Sequence, residues 1–190
     1  MSEVQNKNTS RRDRAKIVKI GIISDTHKKP KKAQRAIEAL LHDGAEFFIH
    51  AGDIVDIEVL HLLHESKVPY IAVYGNNDAH LAHFHTQFNL VQEPYYFELA
   101  KTRFKLMHLP FYMAPDADVL VFGHTHEFSL QYTNNTLFLN SGEVCARNKP
   151  LSEWLMLELQ EDVYHITRYT RANKSESIER ENFTFTREKK

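Results

Sequence analysis

The sequence predicts an α/β fold in which two sheets pack face to face with helices on the outside. Two observations predict it. In the first half, short apolar runs typical of buried strands alternate with amphipathic helical segments, a pattern that favours βαβ units and a parallel sheet. In the second half, the apolar runs come in closely spaced pairs that favour hairpins. At 190 residues the chain suits one domain with a substantial core.

The spacing of apolar residues predicts the strands and helices of the first half. Val18–Ile23 is a β-rich apolar run, as expected of a buried strand. Residues 31–42 place apolar side chains at helical spacing, and Gly44 stands where a helix stop belongs. The remaining predictions are a strand at 46–50, an amphipathic helix at 55–63 that ends before Pro69, and a strand at 70–74.

Three hairpins and one further strand are expected in the second half. Asn134-Asn135 is the clearest turn signal, because asparagine tolerates positive φ. The predicted hairpins pair 95–99 with 103–107, 129–132 with 136–140 and 154–159 with 164–169, and the further strand is 118–122.

The two ends of the chain differ in composition from its middle. Residues 1–15 are polar and basic without periodicity, which predicts a disordered leader; no apolar segment follows the basic residues as a secretory signal requires. Residues 171–190 are highly charged and are expected to form a flexible tail. The predicted domain therefore covers 16–170.

Composition excludes several classes of protein. The chain has 24 Lys and Arg against 25 Asp and Glu, so no global charge draws it to nucleic acid or a membrane surface. Its single cysteine, Cys145, excludes an intrachain disulfide and agrees with a reducing compartment. No apolar run approaches the roughly 18–20 residues of a membrane helix. We therefore expect a cytoplasmic protein with no membrane partner.

Side chains with metal-binding chemistry follow the predicted strands. Ligands at the ends of adjacent strands converge in space even when they are far apart in the sequence. Seven nitrogen and oxygen ligands suffice for two metal ions, and the lack of thiolate suits hydrolysis rather than a structural zinc site. The candidates are Asp25, His27, Asp53, Asn76, His108, His124 and His126, with Gly52, Gly75 and Gly123 directly before three of them.

Several of these residues also have a structural explanation. Asp25 fits a helix cap, the 75–78 stretch fits a turn, and a lone histidine such as His108 is usually structural. Asp43 and Asp56 are competing acids near the second cluster, interpreted as a surface residue and a helix-start residue. The order of all the clusters together favours the metal site.

The ordered set D-x-H, G-D, G-N, H and G-H-x-H resembles the calcineurin-like metallophosphoesterase superfamily, in particular its small single-domain bacterial and archaeal phosphodiesterase branch. The likeness runs from about residue 16 to residue 169, and the stretch 140–144, Asn-Ser-Gly-Glu-Val, is similar to the N-P-G-S-V loop of that branch. The resemblance implies a four-layer α/β/β/α sandwich of two mixed sheets flanked by helices.

The resemblance also implies roles. Two divalent metal ions are expected, manganese first, with nickel, iron or zinc as alternatives, and a metal-bridging hydroxide as the nucleophile. Asp53 would bridge the metals, and Asn76 would supply a neutral oxygen. The implied sets are Asp25, His27, Asp53 and His126 for one metal, and Asp53, Asn76, His108 and His124 for the other.

Two departures from the family pattern affect these expectations. Asn77 stands where many members have histidine, and an amide cannot donate a proton to the leaving group. That proton must then come from water, from His80 or from another nearby histidine. The family's H-G-H motif is here His108-Leu109-Pro110, and the segment from there to Gly123 is short, so a helix or loop that closes one side of the site is expected to be trimmed.

The sequence therefore predicts a dinuclear metal-dependent phosphoesterase, more narrowly a phosphodiesterase, acting on a small or exposed phosphate ester. The alternative is a protein-interaction scaffold on the same fold, like the small retromer subunit. The basic runs RRDRAK and KKPKK lack interleaved aromatic residues, so nucleic acid is not the expected partner. A homo-oligomer stays open, since Tyr95, Tyr96, Phe111 and Tyr112 fit either an interface or a substrate wall.

Overall fold

Two mixed β-sheets lie face to face in the computed structural model, which describes residues 17–187. The predicted α/β fold of two mixed sheets with helices is confirmed, and so are all three hairpins. The predicted leader, 1–15, lies outside the described residues. The elements in chain order are β1 Val18–Ile23, α1 Pro30–His42, β2 Phe47–His50, α2 Ile57–Glu65, β3 Tyr70–Val73, a 3-10 helix Ala79–Phe84, β4 Leu90–Val91, β5 Tyr95–Leu99, β6 Thr102–Leu106, β7 Val119–Phe122, β8 Phe128–Thr133, β9 Thr136–Ser141, β10 Leu151–Leu159, β11 Val163–Ala172 and β12 Glu179–Thr186.

The topology brings several strand ends to one edge of the sandwich. The larger sheet has seven strands in the order β12-β11-β10-β1-β2-β3-β4, and β1 to β4 run parallel. The smaller sheet has the order β5-β6-β7-β9-β8, with β6, β7 and β9 parallel. Because the carboxyl ends of parallel strands lie at the same edge, the loops after these strands become neighbours.

The core between the sheets explains why the short apolar runs form strands. Ile20 and Ile22 of β1 and Ile49 of β2 face Val119 and Val121 of β7, and all five are fully buried. On the outer face of the larger sheet, both α-helices pack through alanine and leucine side chains against a second apolar cluster. Burial on both faces accounts for the unbroken apolar character of the parallel strands.

The outer face of the smaller sheet carries no α-helix within residues 17–187. It presents a small apolar cluster of Met107, Leu120, Phe122 and Phe138, against which Met113 packs. The short segment after His108 therefore crosses this face as an irregular chain, in agreement with the expected trimming. The fourth layer of the sandwich that the resemblance implies is reduced to this segment.

The prediction of a flexible tail from residue 171 is wrong for the residues described there. Glu179–Thr186 forms β12, which pairs antiparallel with β11 along its whole length. Phe183 and Phe185 alternate with polar residues and pack on the core between the sheets. This alternation of apolar and polar residues is typical of a half-buried edge strand. It was not recognised because the segment is rich in charged residues. Of the α-helices within residues 17–187, none combines the length and apolar character needed to span a membrane.

Candidate metal centre

The loops after the parallel strands hold the predicted ligands in strained backbone conformations. Five of the seven have a left-handed φ, between 45° and 69°. Such values are uncommon for residues other than glycine and collect at functional sites, where the surrounding structure enforces them. Backbone hydrogen bonds do this here, from Asp25 N to Gly52 O at 3.0 Å and from His27 N to Asp53 O at 2.9 Å.

Asp25, His27, Asp53 and His126 form the first group of ligands. One ligand atom from each lies within 4.8 Å of all the others, and all four residues are buried. His126 Nε2 lies 3.4 Å from Asp25 Oδ1 and 3.4 Å from His27 Nε2. His27 Nε2 lies 3.6 Å from Asp53 Oδ2. These are the four residues expected to hold one metal.

Asn76, His108 and His124 form the second group, and Asp53 joins it to the first. Asn76 Oδ1 lies 3.0 Å from His108 Nε2 and 3.0 Å from His124 Nδ1. Asp53 Oδ1 lies 3.5 Å from His108 Nε2. Asp53 therefore turns one oxygen toward each group, which is the arrangement that a bridging carboxylate requires.

Two of the histidine rings are oriented by acceptors behind them. Glu143 Oε2 lies 2.5 Å from Nδ1 of His126, and the carbonyl oxygen of Ala51 lies 2.8 Å from Nδ1 of His108. Because both partners accept, Nδ1 donates in each ring and Nε2 presents its lone pair to the centre, as in metal-ligating histidines generally. Glu143 is itself held by the N–H groups of Asn148 and Lys149.

The residues present fit bound cations. Asp25 Oδ1 is buried and has no hydrogen-bond partner among the described residues, yet it lies inside the first group of ligands. Burial raises the pKa of Asp25. At His108, burial opposes protonation, but Asp53 and Asp25 raise the pKa of the ring. An unpartnered carboxylate oxygen beside imidazole nitrogens is a set of donors that suits a divalent cation.

Asn77 holds the carboxylate of Asp53. Its backbone N donates to Asp53 Oδ1 at 3.0 Å, and its side-chain Nδ2 donates to Asp53 Oδ2 at 2.8 Å. Burial alone would raise the pKa of Asp53, but His108 and these two bonds together hold it below its usual value. The carboxylate is therefore ionised at neutral pH. The sequence alone indicates that Asn77 lacks a proton to donate, but not that it holds Asp53.

The glycines before the ligands are required by close packing of the loops. A Cβ at Gly75 would lie 2.2 Å from Asp53 N and 2.3 Å from Asp53 Oδ1. A Cβ at Gly123 would lie 2.2 Å from Ser24 Oγ, and one at Gly52 would lie 2.6 Å from the ring of His108. A side chain at Gly75 or Gly52 would therefore move a candidate ligand, and one at Gly123 would displace Ser24, whose Oγ donates to Asp25 Oδ2.

A cavity of about 790 Å³ opens beside the first group of ligands. His27, Asn77 and His80 line it, together with Lys28, Lys29, Val55 and residues 145–147. The Nε2 atom of His80 donates to the carbonyl oxygen of Val55 at 2.7 Å. The structure thus places His80 at the wall of the cavity, outside both groups of ligands.

Comparison with known proteins decides the family. The model of the calcineurin-like phosphoesterase superfamily domain matches residues 18–162. The chain belongs to this superfamily. It is 30% identical over 142 residues to a phosphodiesterase of Methanocaldococcus jannaschii, covering 68% of this chain and 86% of that protein.

Solved structures of the superfamily share the fold of this chain. Vps29 of Entamoeba histolytica in complex with zinc superposes with a TM-score of 0.68 and 18% identity, covering 88% of this chain and 99% of the other. The phosphoesterase YfcE of E. coli superposes with a TM-score of 0.63 and 24% identity, covering 85% and 96%.

Two residues of this superfamily member that contact or support the candidate ligands could not be assigned these contacts from the sequence. Glu143 lies in the noted 140–144 stretch, but its bond to His126 is a contact between separate loops. Asp78 is fully buried and accepts from the backbone N of Val55 at 2.7 Å, Gly75 at 2.7 Å and Ile54 at 3.1 Å. It ties the loop after β2 to the loop after β3. The only signal in the sequence was a carboxylate in an apparent turn.

Proposed function

We propose that this superfamily member is a phosphodiesterase that binds two divalent cations and hydrolyses a small phosphate ester. One observation carries the proposal: Asp53 turns Oδ2 toward His27 and Oδ1 toward His108, so a single carboxylate serves two groups of ligands. The curated relative from Methanocaldococcus jannaschii, a phosphodiesterase, supports the choice of substrate class.

The chain's own residues prepare both cation positions. Asp25 and Asp53 supply negative charge, and Asn76 supplies a neutral oxygen. Two divalent ions held there would orient the phosphate, lower the pKa of a water and stabilise the charge of in-line attack. Burial and Glu143 raise the pKa of the Cys145 thiol to about 12, although this thiol lies with His27 and His126 in a group that could hold a metal ion. The remaining oxygen and imidazole donors suit manganese, with iron, nickel or zinc as alternatives.

The proton for the leaving group is assigned to His80. Because Nε2 of His80 donates to Val55 O, the other ring nitrogen, Nδ1, is free of that bond and is the atom that would pass a proton to a leaving oxygen. His80→Gln should lower kcat for a diester with a poor leaving group and spare one with 4-nitrophenolate, which needs no acid. Equal losses on both substrates would remove His80 from this role.

The proposal is tested by metal content and turnover together. Purified protein should bind close to two equivalents of Mn2+ by mass spectrometry and hydrolyse bis(4-nitrophenyl) phosphate. Asp53→Ala should abolish cation binding at both positions, and with it turnover. Asp56→Ala is the matched control, because Asp56 only caps α2 by accepting from Glu58 N at 3.1 Å. Protein that binds no divalent metal and shows no turnover with Mn2+ contradicts the proposal.

An interaction scaffold is the second candidate. The structural likeness to Vps29 and the exposed side chains of Tyr96, Phe111 and Tyr112 favour it. A scaffold built on this centre would bind metal without turning over any diester. Saturated metal sites with no hydrolysis of activated diesters would therefore favour the scaffold, and sedimentation would show whether copies of the chain associate.

A further inference from the structure

One wall of the cavity beside the ligands is positively charged. Lys28, Lys29 and Arg147 line it, and all three side chains are exposed. No aspartate or glutamate of the described residues lines the cavity. The chain as a whole has a net charge of -1, so this cationic wall, defined as Lys28, Lys29 and Arg147, is a local concentration of one sign of charge.

Within residues 17–187, no carboxylate forms an ion pair with Lys28, Lys29 or Arg147. Six other lysines and arginines of these residues do form ion pairs with a carboxylate. The paired cations are Lys19, Lys105, Lys149, Arg168, Arg171 and Arg180.

The same segment places positive charge where a helix disfavours it. Lys29 is the N-cap of α1, makes no side-chain capping bond, and precedes a first turn without acidic residues. Lys31 and Lys32 follow in that turn. Cations at a helix N-terminus oppose the helix dipole, which instead favours anions there. A bound anion would offset this repulsion.

We propose that the cationic wall is a second anion subsite, so that the substrate carries a further phosphate beside the ester that is cleaved. This inference rests on the proposed function. The cavity of about 790 Å³ falls in the size range of sites that enclose a nucleotide-sized ligand rather than a lone phosphate. Apart from the two histidine rings, no aromatic side chain of the described residues lines it, so charge rather than base stacking provides recognition.

The test compares two substrates that differ only in the second phosphate. Thymidine 5′-(4-nitrophenyl phosphate) and its 3′-phosphorylated form release the same leaving group. The Mn2+-loaded protein should prefer the 3′-phosphorylated form roughly ten- to hundredfold in kcat/KM, through a lower KM. The variant Lys28→Gln/Lys29→Gln and the variant Arg147→Gln should each lose most of this preference, and added salt should weaken it.

Lys31→Gln is the matched control, because Lys31 is exposed in the same segment and does not line the cavity. It should retain the preference. Equal kcat/KM for both substrates, or a preference that survives in the wall variants, overturns the subsite and leaves the phosphodiesterase intact.

Calorimetric binding of thymidine 3′,5′-bisphosphate against thymidine 5′-monophosphate tests the subsite without turnover. The bisphosphate should bind more tightly to the wild type, and the difference should disappear in the wall variants. Tighter binding with no hydrolysis of either ester would reject the proposed function and keep the subsite. Equal affinities would reject the subsite.

Discussion

Glu143 Oε2 lies 2.5 Å from Nδ1 of His126, and both side chains are buried. Burial would raise the pKa of Glu143, but His126 and the N–H groups of the following loop hold it below its usual value. An ionised carboxylate therefore accepts from Nδ1 and leaves Nε2 of His126 facing Asp25. This pair fixes the orientation of the His126 ring and directs Nε2 into the first group of candidate ligands.

We expect Glu143→Gln to weaken binding at the first cation position. A neutral amide is a poorer acceptor, and loss of such a partner typically lowers metal affinity about 10–100-fold. Titration with Mn2+ by calorimetry measures the change. Glu127→Gln is the control, since Glu127 is an exposed neighbour of His126. Unchanged affinity in Glu143→Gln would mean that the ring needs no such support.

Gly75→Ala should displace Asp53. Its new Cβ would meet Asp53 N at 2.2 Å, and since Gly75 has no positive φ the effect is purely steric. Metal affinity should fall on the order of tenfold or more, as for other disturbances behind a ligand. Gly44→Ala is the comparison, because Gly44 has φ +91° but a Cβ there would make only an ordinary contact, 3.7 Å from the side chain of Lys19. That variant should lose about 1 kcal/mol of unfolding free energy and bind Mn2+ normally.

Asn77→His should restore a proton donor at the position where many superfamily members have one. We expect kcat for a diester with a poor leaving group to rise about tenfold or more, while the 4-nitrophenyl ester changes little. Asn77→Ala should retain activity on the 4-nitrophenyl ester, because the backbone N–H of residue 77 still donates to Asp53 Oδ1. A gain of Asn77→His that is equal for both leaving groups would argue against an acid role.

Asp43 should make stability depend on acid pH. Burial alone would raise its pKa, but bonds from His42, Tyr169 and Arg180 lower it from 3.8 to about 2. A carboxylate whose pKa is lower in the folded than in the unfolded chain stabilises the fold at pH values above the unfolded pKa. This contribution is lost as pH falls from about 4 to 2. Because 24% of the Asp43 side chain is exposed, solvent screening reduces the effect, and we expect a contribution on the order of 1–2 kcal/mol to the free energy of unfolding at neutral pH.

Urea unfolding of Asp43→Asn between pH 7 and pH 2 measures this contribution. The difference from the wild type should be full at pH 7 and shrink through the window below pH 4. Glu46→Gln, at an exposed position nearby, should show no such window. A difference that stays constant with pH would assign the loss to packing rather than to charge.

Several elements could be predicted from the sequence because their signals are local. Val18–Ile23 is the strand that its apolar run predicts, and Asn134 and Asn135 have the positive φ that their turn requires. The ligands could be named because each follows such a strand. Parallel topology then brings them together, so their positions after the predicted strands are enough to name the residues of the candidate site.

Contacts between distant segments explain what the sequence did not reveal. β12 is stabilised by pairing with β11 and by Phe183 packing on the core, which outweighs its charged composition. The bonds of Glu143 to His126 and of Asn77 to Asp53 join different loops.

The sequence by itself determined the fold class and the chemistry of the ligands, because hydrophobic period and residue type are local properties. Only the tertiary structure decided which carboxylate orients which histidine, how Asp53 divides its oxygens, and where the unpaired lysines face. Those relationships depend on distances of a few ångströms between loops, which strand pairing sets and which no local pattern encodes.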